Sequence, residues 1–140
     1  MQRRNFLVMA AVAGAALLPA AAEDVIDTGP ATVAAQTWLA TVDAGRYEQS
    51  WDDAAAYFRE KISKEKWEDA LRKSRAPLGG VLSRKVRTAA YARDLPNAPP
   101  GDYVVAQLDT RFENRPLAEE MVTAMREADG TWKVAGYFIR

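Results

Sequence analysis

The 140-residue sequence changes character at Pro77 and Gly79, and this change constrains the fold more than any other feature. Before it, apolar residues recur at the three- and four-residue spacing of amphipathic helices. After it, β-branched and aromatic residues dominate, and turn signals divide them into short runs. The two textures do not alternate along the chain. The sequence therefore predicts an α+β domain in which helices come first and cover one face of a sheet.

Three helices are predicted before the change of texture. Each has apolar residues on one face and a recognisable end: Gly45 serves as a C-cap, while Ser50 and Ser63 serve as N-caps. A short flexible lead at residues 23–30 precedes the helices. The single predicted domain then spans residues 31–140.

Four strands of similar length are predicted after the change of texture. A proline-rich connection follows the first strand, a tight turn at Asn114 and Arg115 follows the second, and an Asp129-Gly130 hairpin turn follows the third. The predicted sheet is a curved, four-stranded antiparallel meander on which the three helices pack. The predicted strands are 81–92, 102–112, 117–127 and 132–139.

Two-residue turns fix the predicted register of the last three strands. They place Met121 opposite Phe138 and Leu108 opposite Met121, and these apolar residues define the predicted core face. Neighbouring positions on a strand point to opposite faces. The same register therefore predicts that Asp109 lies directly opposite Glu120 on the other face.

The first 22 residues have the three parts of a cleavable export signal. Arg3 and Arg4 give a positive start, residues 6–18 are an apolar run, and small residues precede a predicted cleavage site after Ala22. The apolar run is shorter than the ~20 residues that span a bilayer. The mature chain is therefore predicted to have no membrane span and to lie in the periplasm or outside the cell. Arg3 and Arg4 fit the general secretion route and partly match a twin-arginine signal, so both routes stay open.

The sequence contains no cysteine and no histidine. This absence excludes disulfides, thiol chemistry and the Ser-His-Asp type of hydrolase, and it removes the commonest metal ligand. No cofactor and no metal site are predicted. Basic residues are concentrated at 59–93 but alternate with glutamates, as on a solvated helix face, so no nucleic-acid partner is predicted.

The predicted pair of Asp109 and Glu120, with Tyr137 nearby, is the candidate catalytic site. Two carboxylates side by side cannot both ionise cheaply, so such a pair suits general acid and base chemistry. The alternative is an exposed ladder of charges in which Lys85, Arg87 or Arg111 on adjacent strands neutralises the pair.

Three further residues are candidates for ligand binding. Arg75 and Arg84 flank the passage from the last helix to the sheet, where a guanidinium could clamp a carboxylate or a phosphate. The alternative is that they bond helix carbonyls or pair with a carboxylate. Tyr103 could line a cavity between the sheet and the helices, or pack in the core.

Residues spread over the predicted domain carry a family resemblance. They are Trp38, Asp43, Gly45, Tyr47, Trp51, Trp67, Arg75, Pro77, Leu78, Gly79, Ser83, Arg84, Leu95, Pro96, Gly101, Tyr103, Glu120 and the ending DGTWKVAGYFIR. In these residues the chain resembles the exported bacterial family catalogued as domain of unknown function four-thousand-and-nineteen. The resemblance covers residues 31–140 and implies no activity. The order of elements also resembles the cone-shaped fold of the nuclear-transport-factor-two-like superfamily, in which a curved sheet wraps a helix and often leaves a pocket.

Three hypotheses on function remain open at this point. The first is a non-enzymatic envelope domain that binds a small molecule or another envelope protein between sheet and helices. The second is a cone-fold enzyme that transfers protons with Asp109, Glu120 and a tyrosine. The third is a structural protein that forms a homodimer through its exposed sheet.

Overall fold

The computed structural model describes residues 26–140, and within them the predicted α+β fold class is confirmed. The predicted export signal, its cleavage after Ala22 and the first residues of the lead lie outside the described part. Within that part, none of the helices combines the length and the hydropathy that a membrane crossing requires.

Four helices precede the sheet, because the second predicted helix is divided into two short ones. Ala55 between them is extended, and its N–H donates to the carbonyl of Val134 in the sheet at 2.8 Å. This hydrogen bond to the sheet holds Ala55 in an extended conformation, and the helix is interrupted there. The helices are α1 (Gly29–Asp43), α2 (Tyr47–Asp52), α3 (Ala56–Lys61) and α4 (Lys64–Ser74), followed by a single 3₁₀ turn at Ala76–Leu78.

The helix ends show which capping predictions are correct. Gly45 follows α1 with φ of +78°, and the Ser63 side chain accepts from the N–H of Lys66 at the start of α4. Ser50 is no N-cap: it lies buried within α2. Helix α1 begins at Gly29, inside the predicted flexible lead, with a proline in its first turn.

The four strands form one antiparallel sheet in the order of the sequence, as the meander prediction requires. Its edges are the first and the last strand. Packing of α1 against the last three strands places the helices on one face of the sheet. The strands are β1 (Val81–Arg93), β2 (Asp102–Phe112), β3 (Arg115–Arg126) and β4 (Trp132–Ile139).

The register between β2 and β3 differs by one residue from the prediction. The turn residues are Glu113 and Asn114, so the predicted turn at Asn114 and Arg115 is wrong by one position. The displaced turn alone would move the pairing by two residues. An irregularity between Thr110 and Phe112 moves it back by one, and Leu108 therefore faces Glu120 instead of Met121. A shift of one residue exchanges the two faces of a strand. Glu120 therefore points into the core. The predicted pair of Met121 and Phe138 does form, but Phe138 is 60% exposed.

The core lies between α1, α4 and the middle of the sheet. Trp38 of α1 stacks near Trp67 of α4 with 6.0 Å between ring centroids, and the Tyr137 ring lies 5.4 Å from that of Trp38. The aromatic side chains of α1 and α4 thus pack against each other and against the sheet. The main buried cluster is Ala35, Trp38, Leu39, Val42, Ala54, Phe58, Trp67, Leu71, Ala106, Leu108, Val122 and Val134.

Gly79 joins the helical layer to β1 in a backbone conformation that favours glycine, with φ of +80° and ψ of −163°. A Cβ at Gly79 would also lie 2.7 Å from the Glu113 carboxylate oxygen, which accepts from the N–H of Gly80. We expect Gly79→Ala to lower the free energy of unfolding by about 1–3 kcal/mol. Gly80→Ala is the matched control, because its Cβ meets the nearest atom at 3.4 Å without a positive φ. Urea unfolding followed by circular dichroism measures both, and equal losses would contradict this explanation.

Candidate functional site

A chain of polar side chains crosses the interior from the end of α1 to the core face of the sheet. It contains four of the six site residues predicted from the sequence. We call it the inner charge network, and its members are Asp43, Arg75, Arg84, Thr110, Glu120 and Tyr137.

Glu120 is the innermost member of the network and is fully buried. Its carboxylate accepts hydrogen bonds from Arg84 Nε at 2.7 Å, from Thr110 Oγ1 at 2.6 Å and from the hydroxyl of Tyr137. A buried carboxylate is tolerated only when its charge is matched and its oxygens are bonded. Here both conditions are met by side chains from β1, β2 and β4.

Asp43 is the outer member of the network, and its side chain is 25% exposed. Its carboxylate accepts hydrogen bonds from both terminal nitrogens of Arg84, at 2.7 and 3.0 Å, and from Nη2 of Arg75 at 3.2 Å. Arg75 also donates to the carbonyl of Gly79 at 2.6 Å. Two arginines and two carboxylates thus balance one another, and they tie α1 and the end of α4 to the sheet.

Arg75 is buried to 4% exposure, and its guanidinium lies 4.5 Å from the ring centroid of Phe112. Its Nε is buried without a hydrogen-bond partner among the described residues. The ring and the pairs with Asp43 and Gly79 offset part of that cost. Arg75 therefore makes the contacts of the alternative prediction, since it bonds a backbone carbonyl near a helix end and pairs with a carboxylate.

Burial and neighbouring charges shift two pKa values in the network. Burial works to lower the pKa of Arg84, but the hydrogen bonds to Asp43 and Glu120 outweigh it and raise that pKa. Burial, followed by the negative charge of Glu120, raises the pKa of the Tyr137 phenol. Arg84 therefore remains a cation and Tyr137 remains a neutral hydrogen-bond donor.

The remaining two predicted site residues lie elsewhere. Asp109 is opposite Glu119 and not Glu120, so the predicted carboxylate pair is wrong, because the irregularity near Phe112 shifts the register. The hydroxyl of Tyr103 donates to the carbonyl of Pro99 at 2.6 Å and holds the loop between β1 and β2.

Asp43 and Thr110 were not among the predicted site residues. Asp43 is the last residue of α1, where it has no distinctive pattern, and Thr110 lies between two charged residues on β2. A sequence signal did exist for Asp43, because it is one of the residues that carry the family resemblance. Its role depends on arginines that are 32 and 41 positions away.

A second site lies on the sheet face that points away from the helices, near the turn between β2 and β3. It is an open groove of about 680 Å³. We call it the outer groove. Its lining residues are Ser83, Lys85, Arg87, Asp109, Thr110, Arg111, Pro116, Leu117, Ala118, Glu119 and Arg140.

The two acidic side chains of the outer groove are paired. Arg87 contacts Asp109 at 3.2 Å and also contacts Glu119, while Arg140 Nε contacts Glu119 at 2.9 Å. A surface charge ladder is thus present, but its acids are Asp109 and Glu119 instead of the predicted Asp109 and Glu120. Of the three bases considered from the sequence, Arg87 alone forms ion pairs within residues 26–140.

Three groove residues are exposed and are not engaged by the charge ladder of residues 26–140. Within residues 26–140, neither Lys85 nor Arg111 forms an ion pair, and both are exposed. Leu117 is 92% exposed beside them. The outer groove therefore offers two cations and one protruding apolar side chain.

The Glu119 carboxyl gives a test of the charge ladder. Hydrogen bonds from Arg140 and Arg87 lower its pKa below the usual value. Because the folded-state pKa lies below that of the unfolded chain, the ion pairs stabilise the fold at neutral pH. That stabilisation is lost as the pH falls through the folded-state pKa. We expect the carboxyl titration measured by NMR to move upward in Arg140→Ala and in Arg87→Ala, whereas an unchanged midpoint would refute the pairing.

Comparisons with known proteins identify a family whose function is unknown. A family model described as "Protein of unknown function (DUF4019)" matches residues 34–137. No curated protein is significantly similar in sequence. A solved structure from Catenulispora acidiphila is 16% identical with a TM-score of 0.44, and the alignment covers 78% of this chain and 89% of that one.

Proposed function

The chain belongs to the DUF4019 family of proteins of unknown function, and we propose that it acts after export as a non-enzymatic binding domain for another protein of the cell envelope. The observation that carries this proposal is the outer groove. Its unpaired cations and its exposed leucine lie together on a sheet face away from the helices. The export signal predicted from the sequence supports the proposed compartment.

The inner charge network argues against the proton-transfer alternative. A general acid or base must reach its substrate, but Glu120 is fully buried and its charge is matched by Arg84. Tyr137 donates to the same carboxylate, and its pKa is raised further from neutral pH. Asp109 lies in the outer groove and pairs with Arg87. Glu120 and Tyr137 therefore lie together in the inner charge network, while Asp109, the third residue of the enzyme hypothesis, lies in the outer groove.

The shape of the outer groove favours a protein over a small molecule. Small-molecule sites are concave and bury most of the ligand surface. This groove is open, and Leu117 extends from it with 92% of its surface exposed. A protruding apolar residue among arginines is typical of the centre and rim of a protein interface.

Site-specific photocrosslinking in the producing cell tests the proposed function. A photoreactive amino acid at position 117 should give a discrete adduct, and one at Val33, which is 61% exposed on α1, should not. Changing Lys85 and Arg111 together to glutamate should abolish the adduct at 117. Equal adducts from both positions, or none at 117, would overturn the proposal.

The photocrosslinking experiment would favour the homodimer hypothesis instead if the protein were crosslinked to itself. An adduct of twice the mass of the chain would indicate a second copy in the groove. Sedimentation of the purified protein at high concentration would then show a dimer, and a monomer would exclude it.

A further inference from the structure

We propose that the outer groove receives an extended acidic segment of the partner protein, in which carboxylates at alternating positions meet Lys85 and Arg111 and an apolar side chain meets Leu117. This inference rests on the proposed function, because it names the chemistry of the same surface. It is carried by the charges, by the strand register and by the position of Leu117.

The charges of the groove indicate that the partner segment is negatively charged. Four of its side chains are basic and two are acidic, and both acids are already engaged by Arg87 and Arg140. Lys85 and Arg111 remain unmatched by any acid of residues 26–140. A partner with two carboxylates could pair with both of these cations and would gain charge-assisted hydrogen bonds.

The register of β1 and β2 sets the spacing of these carboxylates. Lys85 is opposite Asp109 and Ser83 is opposite Arg111, so Lys85 and Arg111 are diagonal neighbours. Diagonal neighbours on an antiparallel pair are roughly 7–8 Å apart. Alternate residues of an extended chain repeat at about 6.6–6.8 Å and point to the same side. An extended segment with acids at every second position therefore matches both cations.

Leu117 sets the third contact. It lies on β3, next to the irregular pairing that surrounds Arg111 on β2. The contacts Lys85, Arg111 and Leu117 thus occupy three adjacent strands, in that order. A segment that crosses the strands meets the two cations first and the leucine last. Its residue at that point should be apolar, because burying Leu117 removes apolar surface from water.

The two acids of the groove favour a peptide over a nucleic acid as the occupant. Asp109 and Glu119 lie among the cations, and a continuous phosphate backbone would pass over them. Isolated carboxylates on a peptide can avoid them, since only alternate positions face the sheet.

A short, terminally blocked synthetic peptide of glutamate–serine repeats ending in leucine is the probe. It is added to the isotopically labelled protein, purified after export, and amide NMR signals are followed at low and high salt. Signals of Lys85, Arg111 and Leu117 should shift, and the affinity should fall as salt rises. Lys85→Glu with Arg111→Glu should weaken binding by about tenfold or more.

A matched pair of charge changes outside the groove and a peptide of opposite charge serve as controls. Lys66→Glu with Arg46→Glu changes the net charge equally at exposed positions outside the groove and should leave the affinity unchanged. A lysine–serine peptide should not bind the native protein and should bind the charge-reversed groove.

The outcomes separate this inference from the proposed function. If the acidic peptide binds no better than the basic one while the adduct at position 117 persists, the acidic segment is refuted and the protein-binding function stands. If the adduct is absent too, both are refuted.

Discussion

Glu120→Ala is expected to lower the free energy of unfolding by about 3–5 kcal/mol, because it removes one partner of a buried ion pair and leaves the others in place. Arg84, Thr110 and Tyr137 would each lose an acceptor inside the protein. The melting temperature should fall by about 10–25 °C for a domain of this size. Urea and thermal unfolding followed by circular dichroism measure both quantities.

Two controls show whether the loss comes from the buried charge. Glu119→Ala removes the neighbouring carboxylate on the same strand, which is partly exposed in the outer groove, and should have a far smaller effect. Glu120→Gln keeps the volume and one acceptor oxygen, so it should fall between the two. A loss from Glu119→Ala as large as that from Glu120→Ala would contradict the description of the inner charge network.

Trp38→Ala is expected to cost about 3–5 kcal/mol, because it opens a cavity at the centre of the helical layer. The Trp38 side chain is 4% exposed and packs against Trp67 and Tyr137. Its indole N–H also donates to the carbonyl of Ser50 at 2.8 Å, which fixes α2 on α1. The same unfolding measurements apply.

Trp38→Phe separates packing from hydrogen bonding at this position. The phenylalanine fills much of the volume but leaves the buried Ser50 carbonyl without its donor, which costs about 1–3 kcal/mol. The alanine variant should therefore be the less stable of the two. Equal stability of the two variants would show that the hydrogen bond, and not the packing of the indole, carries the contribution of Trp38.

The fold class and strand order could be predicted from the sequence because both follow from local signals. The helical spacing before Pro77 and the turn at Asp129 and Gly130 need no information from distant residues. The register between β2 and β3 could not be predicted in this way. An irregularity near Phe112 adds one residue to the pairing, and no residue type marks its position.

The candidate site shows the same division between local and distant information. Residue type and position in the predicted fold point to Arg75, Arg84, Glu120 and Tyr137, but the predicted register groups Glu120 with Asp109 instead of Arg84. The contacts that join the network span up to 41 positions, and only the folded chain reveals them. All its members except Thr110 belong to the residues that carry the family resemblance.

The central claim is that the inner charge network supports the fold while the outer groove binds the partner. The adduct yield at position 117 tests it when measured in two backgrounds, at a temperature where both variants are folded. Glu120→Gln should lower the melting temperature and retain the adduct. Lys85→Glu with Arg111→Glu should keep the melting temperature and lose the adduct. The reverse pattern, in which Glu120→Gln abolishes the adduct and the charge reversal does not, would contradict the claim.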